Sequence, residues 1–139
     1  MKRLMLDTCV VVDLLINANR LDKGLTNILE DPEYMFCASF ETMRELVVLF
    51  NNNKIPSKLW KTAEDVISMV VNDLSIDFLP LHDSVGFTYS RLTLNNLQNH
   101  YDPSDHIIIS HAITEHIPLI SCDKKFSFYR NQGLELIEY

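Results

Sequence analysis

Short apolar runs alternate along the chain with longer stretches in which apolar residues recur every three or four positions. The short runs predict four buried β-strands and a fifth near the carboxyl end, at residues 4–6, 34–38, 76–79, 118–121 and 134–137. The longer stretches predict helices between them. Strands that alternate with helices form parallel sheets covered on both faces, so we predict an α/β fold with a central parallel sheet of four to five strands.

Polar residues between the strands set the expected helix boundaries. Two helical stretches follow the first strand and end near residue 31, and Ser39 caps a third helix. Further helices are predicted over residues 56–72 and 83–99, and Asp102-Pro103 begins the last one. The third helix has the predicted apolar face Phe40, Met43, Leu46, Val47 and Phe50.

The length of 139 residues predicts one domain, residues 1–139, and 47% hydrophobic residues are enough for one core. The three glycines, at positions 24, 86 and 133, are too far apart for a phosphate-binding loop or a dinucleotide fingerprint. The three cysteines show no C-x-x-C spacing, which predicts reduced thiols and neither a disulfide framework nor a zinc ribbon. Acids interrupt the amino-terminal apolar segment and no run could span a membrane, so we expect a cytoplasmic protein without membrane partners.

The formal net charge is −7, from 12 Lys and Arg against 19 Asp and Glu. This sign is wrong for a protein that coats nucleic acid by bulk electrostatics. A polyanion would have to bind through a local patch or a metal ion.

Four acids stand where the predicted fold can bring them together. Asp7 and Asp123 each follow a predicted strand, and the carboxyl ends of parallel strands share one edge of a sheet. Glu45 has no cation three or four residues away on its helix, and Asp105 shares a helical stripe with apolar residues. Convergent carboxylates repel one another unless a cation lies between them.

Each of these acids also has a simpler interpretation. Asp7 and Asp102 suit helix caps, and Asp105 suits the first turn of a helix. Asp123 precedes two lysines that fit a surface turn, and Glu45 could be solvated. A zinc site has no familiar ligand spacing among His100, His106 and His111, and core packing suits Tyr101, Phe126 and Tyr129 better than base stacking.

Four short segments nevertheless follow one another in a specific order. They are Leu6-Asp7-Thr8, the Ser-x-x-Thr-x-x-Glu pattern of residues 39–45, the Asp-Pro-x-Asp pattern of residues 102–105 and the Ser-x-Asp-x-x-Phe pattern of residues 121–126. This arrangement resembles the PIN domain end to end, and within that family the VapC-type toxins of bacterial toxin–antitoxin systems.

The resemblance implies a metal-dependent endoribonuclease. Its metal-binding and catalytic acids would be Asp7, Glu45, Asp105 and Asp123, holding one or two Mg²⁺ or Mn²⁺ ions that activate a water molecule. The resemblance further implies an RNA substrate, a cognate antitoxin and homodimers.

Other residues near these acids are candidates for supporting roles. Thr8 and Ser121 could orient Asp7 and Asp123, or could serve only in capping and turn formation. Arg44, Lys124 and Lys125 lie beside the acids and are candidate RNA contacts, although solvated surface is the commoner fate of such residues.

Two departures from the family pattern are Cys9, where relatives often have Ser or Asn, and His106, where many toxins have Arg. An Asp-based phosphatase would use Asp7 as its nucleophile and need a second Asp at the position of Cys9, which disfavours that alternative. An inactive PIN-like binding module remains a second alternative. Loss of one acid would indicate it, and none of the four is missing.

Overall fold

The computed structural model describes residues 1–56 and 58–139. A five-stranded sheet with the order β3-β2-β1-β4-β5 runs through the molecule, and every neighbouring pair is parallel. The strands are β1 (Lys2–Leu6), β2 (Tyr34–Ser39), β3 (Asp77–Leu79), β4 (Leu119–Ser121) and β5 (Leu136–Glu138). The predicted α/β fold and parallel sheet are confirmed.

In the part of the chain that the structure describes, six α-helices connect these strands: α1 (Thr8–Ile16), α2 (Lys23–Glu30), α3 (Phe40–Asn51), α4 (Ala63–Ser68), α5 (Asp83–Arg91) and α6 (Pro103–Glu115). A π-helical turn, Met69–Asp73, extends α4, and 3₁₀ segments lie at Ala18–Arg20, Asn96–Gln98 and Lys124–Gln132. None of the helices within the described ranges is both long enough and apolar enough to cross a bilayer.

Successive residues of the strands face two cores on opposite sides of the sheet. Leu4 and Leu6 of β1 pack in the first core, where α1 to α4 and the π-helical turn cover the sheet. Met5 packs in the second core with Ile108 of α6 and Phe126 of the last 3₁₀ segment. Because side chains alternate along a strand, one short apolar run supplies both cores, and the predicted helices on both faces are confirmed.

The predicted helix over residues 56–72 is wrong in its first part. Residues 58–62 are not helical, position 57 lies outside the described residues, and α4 begins only at Ala63. The boundary is a capping box: the Thr62 hydroxyl accepts the Asp65 N–H at 3.1 Å, and the Asp65 carboxylate accepts the Thr62 N–H at 3.1 Å.

The predicted helix over residues 83–99 ends early, at Arg91. Leu92 is extended, and the Gln132 side chain holds the next residue, Thr93, by accepting its N–H at 2.8 Å and donating to its carbonyl at 2.9 Å. Thr93 and Asn95 are thus hydrogen-bonded to the last 3₁₀ segment instead of continuing the helix.

The buried stripe of α3 also differs from the predicted one. Phe40 is 47% exposed, whereas Thr42 and Leu46 are fully buried and Glu45 is partly buried. Phe40 is the first helical residue after the Ser39 cap and lies outside the packed face. The stripe that faces the sheet thus carries polar groups as well as Leu46.

Candidate active site

All four predicted acids line one open cavity of about 500 Å³ at the carboxyl end of the sheet. Asp7 joins β1 to α1, and Asp123 follows β4 at the start of the last 3₁₀ segment. Glu45 lies in the middle of α3, and Asp105 lies in the first turn of α6. The parallel ladder of β1 and β4 aligns the first two acids, because it pairs residue 6 with residue 120.

The Asp7 carboxylate is buried and hydrogen-bonded through both oxygens. Oδ1 accepts the Thr8 N–H at 2.8 Å, and Oδ2 accepts the Ser121 hydroxyl at 2.7 Å and the Cys9 thiol at 3.4 Å. Burial nevertheless raises the pKa of Asp7 to about 6; the Ser121 bond lowers that pKa and the Asp105 charge raises it further. Asp7 is thus both the predicted helix cap and one wall of the cavity.

Ser121 links two of the acids directly. Its hydroxyl donates to Asp7 and accepts the Asp123 N–H at 3.1 Å. Asp123 Oδ1 in turn accepts the Lys125 N–H at 2.9 Å, which caps the 3₁₀ segment. Capping and orientation of the acids are therefore combined in the same groups.

A chain of two threonines holds Glu45. The Thr8 hydroxyl donates its only proton to Glu45 Oε1, so the Thr42 hydroxyl, 3.0 Å from that of Thr8, must be the donor in the second bond. Burial raises the pKa of Glu45, and the bonds from Thr8 and Ser104 counter this increase. The partner of Glu45 lies on another helix, as its surroundings on α3 predict.

Asp105 contacts a buried histidine. Its Oδ2 lies 2.9 Å from Nε2 of His100, and Nδ1 of His100 lies 2.9 Å from the Tyr129 hydroxyl. Burial raises the pKa of Asp105 to about 7, and the charges of Asp102, Glu45 and Asp123 add to this increase. Burial lowers the pKa of His100, so its neutral form is favoured.

The other predicted residues lie at or outside the cavity rim. Asp102 caps α6 by accepting the Ser104 N–H at 2.9 Å, as its position before Pro103 predicts. Arg44 is half exposed and pairs with Glu41, with 2.9 Å between its Nε and Oε2 of that acid. Lys124 and Lys125 are exposed beside Asp123, and their contact with RNA stays a prediction.

Sequence reasoning assigned no role beside the four acids to His100, Thr42, Cys9 or Cys122. His100 has no local signal, because the chain before it follows an irregular path, whereas Thr42 stands inside the Ser-x-x-Thr-x-x-Glu pattern. Cys9 and Cys122 line the cavity, and burial and the Asp7 charge raise the pKa of the Cys9 thiol. His106 lies 2.9 Å from the His100 carbonyl and His111 lies 2.8 Å from the Ser39 hydroxyl, so both make their hydrogen bonds to groups other than the four acids.

The donor set fits a hard divalent cation. The four carboxylates share one cavity, and single ligand atoms of His100, Asp105 and Asp123 lie within 4.8 Å of one another. In residues 1–56 and 58–139, no lysine or arginine forms an ion pair with any of the four acids. Carboxylate oxygens are the ligands that Mg²⁺ and Mn²⁺ prefer. A cation would offset the charge repulsion that, after burial, contributes to the raised pKa of Asp7, Glu45 and Asp105.

The PIN domain family model matches residues 4–132. This chain belongs to the PIN domain family. The resemblance predicted from four short segments is therefore confirmed over nearly the whole chain. No curated protein matches this PIN domain in sequence.

Solved structures with the same fold come from toxin–antitoxin systems. VapBC2 from Rickettsia felis, bound to a DNA fragment from its promoter, shares 19% identity at a TM-score of 0.72, over 98% of both chains. VapBC-1 from nontypeable Haemophilus influenzae shares 20% identity at a TM-score of 0.70, over 98% of this PIN domain and 97% of that chain. DNA-bound VapBC from Salmonella typhimurium shares 20% identity at a TM-score of 0.66, over 99% and 98%. At these identities the likeness establishes the fold.

Proposed function

We propose that this PIN domain is a Mg²⁺- or Mn²⁺-dependent endoribonuclease, with Asp7, Glu45, Asp105 and Asp123 as its metal-binding and catalytic acids. The observation that carries the proposal is the convergence of all four acids from four separate elements on one open cavity. Family membership supports it, because the four acids stand in the segments that resemble the family pattern.

The protein's own contribution to the proposed reaction is to hold the acids in position through neighbouring side chains. When bound, a divalent cation lowers the pKa of a coordinated water molecule and offsets the charge that develops on the scissile phosphate. Ser121 fixes the Asp7 carboxylate, Thr8 fixes Glu45, and His100 fixes Asp105, so three acids are oriented before substrate arrives.

The RNA backbone would approach along the exposed side of the cavity. Lys124 and Lys125 extend into solvent next to Asp123 and offer two positive charges there. Arg44 is partly neutralised by Glu41, so we assign it the weaker role. Because the net charge of the protein is −7, RNA binding would depend on these local charges and on the metal ion.

We further propose that the protein is the toxin of a toxin–antitoxin pair, forms homodimers and acts in the cytoplasm. The support is its structural likeness, over nearly the full length of each chain, to VapBC proteins from three bacteria. A small protein with a DNA-binding segment encoded next to this chain would be the expected antitoxin. Its co-purification with this chain, and restored growth when the two are expressed together, would support the toxin assignment.

The decisive experiment is cleavage of labelled single-stranded RNA by the purified protein with Mg²⁺, with Mn²⁺ and with chelator. Asp7→Asn and Asp123→Asn are compared with Asp77→Asn, a matched change at an exposed position on β3. We expect metal-dependent cutting by the wild type and Asp77→Asn, and a loss of at least a hundredfold in the other two.

Circular dichroism and Mn²⁺ titration separate the possible failures. Folded wild-type protein that binds no divalent ion and cuts no RNA would overturn the proposal in favour of the inactive binding module. Equal cutting by Asp7→Asn and the wild type would show that the activity does not come from this cavity.

A further inference from the structure

We propose that Cys9 and Cys122 form a reversible disulfide at the rim of the acid cavity. Their Sγ atoms lie 3.1 Å apart although 112 residues separate them in the chain. Cys9 lies in the first turn of α1 and Cys122 directly follows β4, so two adjacent strands hold the pair in place. Both are free thiols in this structure.

The pair is open to a small oxidant. Both thiols line the acid cavity, and Cys122 also borders a second cavity of about 500 Å³ with Lys124, Ser127 and Glu138. The Lys124 ammonium would attract an anionic disulfide such as glutathione disulfide. Cys37, in contrast, is buried on β2 with its thiol directed at the Leu4 carbonyl, 3.5 Å away.

The chemistry is thiol–disulfide exchange with a low-molecular-weight disulfide. Cys122 attacks one sulfur of glutathione disulfide, forms a mixed disulfide and releases one glutathione thiolate. Cys9 then attacks the Cys122 sulfur and releases the second glutathione. Two electrons pass from the two thiols to glutathione disulfide, and the two thiol protons end on the released glutathione. Transient cytoplasmic disulfides of this kind serve redox sensing.

Closing the bond would disturb the acids on both sides. The sulfur atoms of a disulfide are about 2 Å apart. Because the two Sγ atoms now lie 3.1 Å apart, either the backbones must shift or the side chains must rotate. Cys9 loses the proton that it donates to Asp7 Oδ2, and Cys122 is bonded in sequence to Asp123. We expect the oxidised form to bind Mn²⁺ several-fold more weakly and to cleave RNA more slowly. The cleavage effect rests on the proposed function, whereas the disulfide does not.

Tryptic peptide mapping tests the bond, because each cysteine lies in a different peptide: residues 4–20, 24–44 and 92–124. Folded protein is treated with glutathione disulfide, alkylated and digested without reductant. We expect peptide 4–20 linked to 92–124 in the wild type and in Cys37→Ala, and no link in Cys9→Ala or Cys122→Ala. A stable glutathione adduct without the link, links to 24–44, or unchanged thiols would overturn the proposal.

Mn²⁺ titration of the oxidised and re-reduced wild type tests the consequence, with Cys122→Ala as the oxidation-insensitive reference. The proposal is supported if oxidation weakens Mn²⁺ binding by the wild type and dithiothreitol restores it. In Cys122→Ala, the Mn²⁺ affinity should be the same after oxidation and after reduction. Equal affinity of the two wild-type forms would refute it. If the reduced protein binds Mn²⁺ but cuts no RNA, the proposed function fails while the peptide map still decides on the disulfide.

Discussion

Nε2 of His100 lies 2.9 Å from Oδ2 of Asp105, which places an imidazole behind one of the four acids. The Tyr129 oxygen accepts the Asn95 N–H at 3.0 Å, and its own proton is free for Nδ1 of His100. That arrangement leaves the proton of a neutral imidazole on Nε2, directed at Asp105. The backbone N–H of Asn95, the phenol and the imidazole thus form one chain of donors that ends on Oδ2 of Asp105 when that carboxyl is ionised.

We predict that His100→Ala weakens Mn²⁺ binding about tenfold or more, because groups that orient a metal ligand contribute roughly 10- to 100-fold in affinity. Tyr129→Phe should weaken it less, since it removes only the group that fixes the tautomer. Calorimetric or electron paramagnetic resonance titration with Mn²⁺ measures both effects.

The matched control for this prediction is His82→Ala. His82 is an exposed histidine at the start of α5 whose side chain makes no capping bond, so its removal should leave Mn²⁺ affinity unchanged. If folded His100→Ala binds Mn²⁺ as tightly as the wild type, the imidazole does not position Asp105.

The Thr42–Thr8–Glu45 chain gives a second prediction. Thr8→Val keeps the shape of the side chain but leaves Glu45 without its Thr8 donor and Thr42 without an acceptor. Because unpaired buried polar groups cost about 1–3 kcal/mol, we expect a loss of that order in the free energy of unfolding, and weaker Mn²⁺ binding. Urea denaturation in chelator measures the first effect. Thr8→Ser, which keeps the hydroxyl, should restore both properties, and a loss as large as that of Thr8→Val would contradict the hydrogen-bond explanation.

Asp7 and Asp123 could be predicted from the sequence because their positions depend on local features. Each follows a short apolar strand, and a parallel ladder then brings the two strand ends together. Glu45 required one more step, since the absence of a cation on its own helix showed only that its partner lies elsewhere. The structure identifies that partner as Thr8.

His100 could not be placed in the same way, because contacts distant in sequence determine the path of the chain before it. The Gln132 side chain makes two hydrogen bonds to the Thr93 backbone, and the Lys125 carbonyl accepts the Asn95 side-chain amide at 3.1 Å. Periodicity alone predicts a helix through this region, which is wrong beyond Arg91. The loop that carries His100 into the site is therefore a tertiary feature.

The start of α4 leads to a third prediction, which concerns stability alone. Thr62→Ala removes the hydroxyl that caps the Asp65 N–H and should lower the free energy of unfolding by about 1 kcal/mol. Thermal denaturation measures this change, and Thr62→Ser should retain most of the stability. Mn²⁺ affinity should stay the same in both variants, because the cavity has no residue from α4. A change in affinity would indicate that α4 and the acid cavity are coupled.

The raised pKa of Asp7 leads to a fourth prediction, on the pH dependence of stability without metal. The pKa of Asp7 is about 6 in the folded protein and near 3.8 when unfolded, so between these values the folded state binds more protons. The contribution of Asp7 to the free energy of unfolding is therefore fully present below about pH 4, and it is lost as the pH rises through 6. Asp7→Asn removes the buried charge, so the variant should gain about 1–3 kcal/mol over the wild type at pH 7.5 and little at pH 4.5.

The difference between Asp7→Asn and the wild type reports the Asp7 carboxyl together with its effect on neighbouring groups, since the Asp7 charge also raises the pKa of His100 and Glu45. Burial lowers the pKa of His106 and His111, which gives an opposite pH slope, but that slope is common to both proteins. For Asp77→Asn, at an exposed position, the difference from the wild type in the free energy of unfolding should not grow with pH. Denaturant titrations in chelator from pH 4.5 to 7.5 measure these differences in the free energy of unfolding. When Mn²⁺ is added at pH 7.5, the wild type should become more stable than Asp7→Asn, because only the wild type keeps all four acids. A difference that shrinks as the pH rises would contradict the assignment of Asp7 as an uncompensated buried charge.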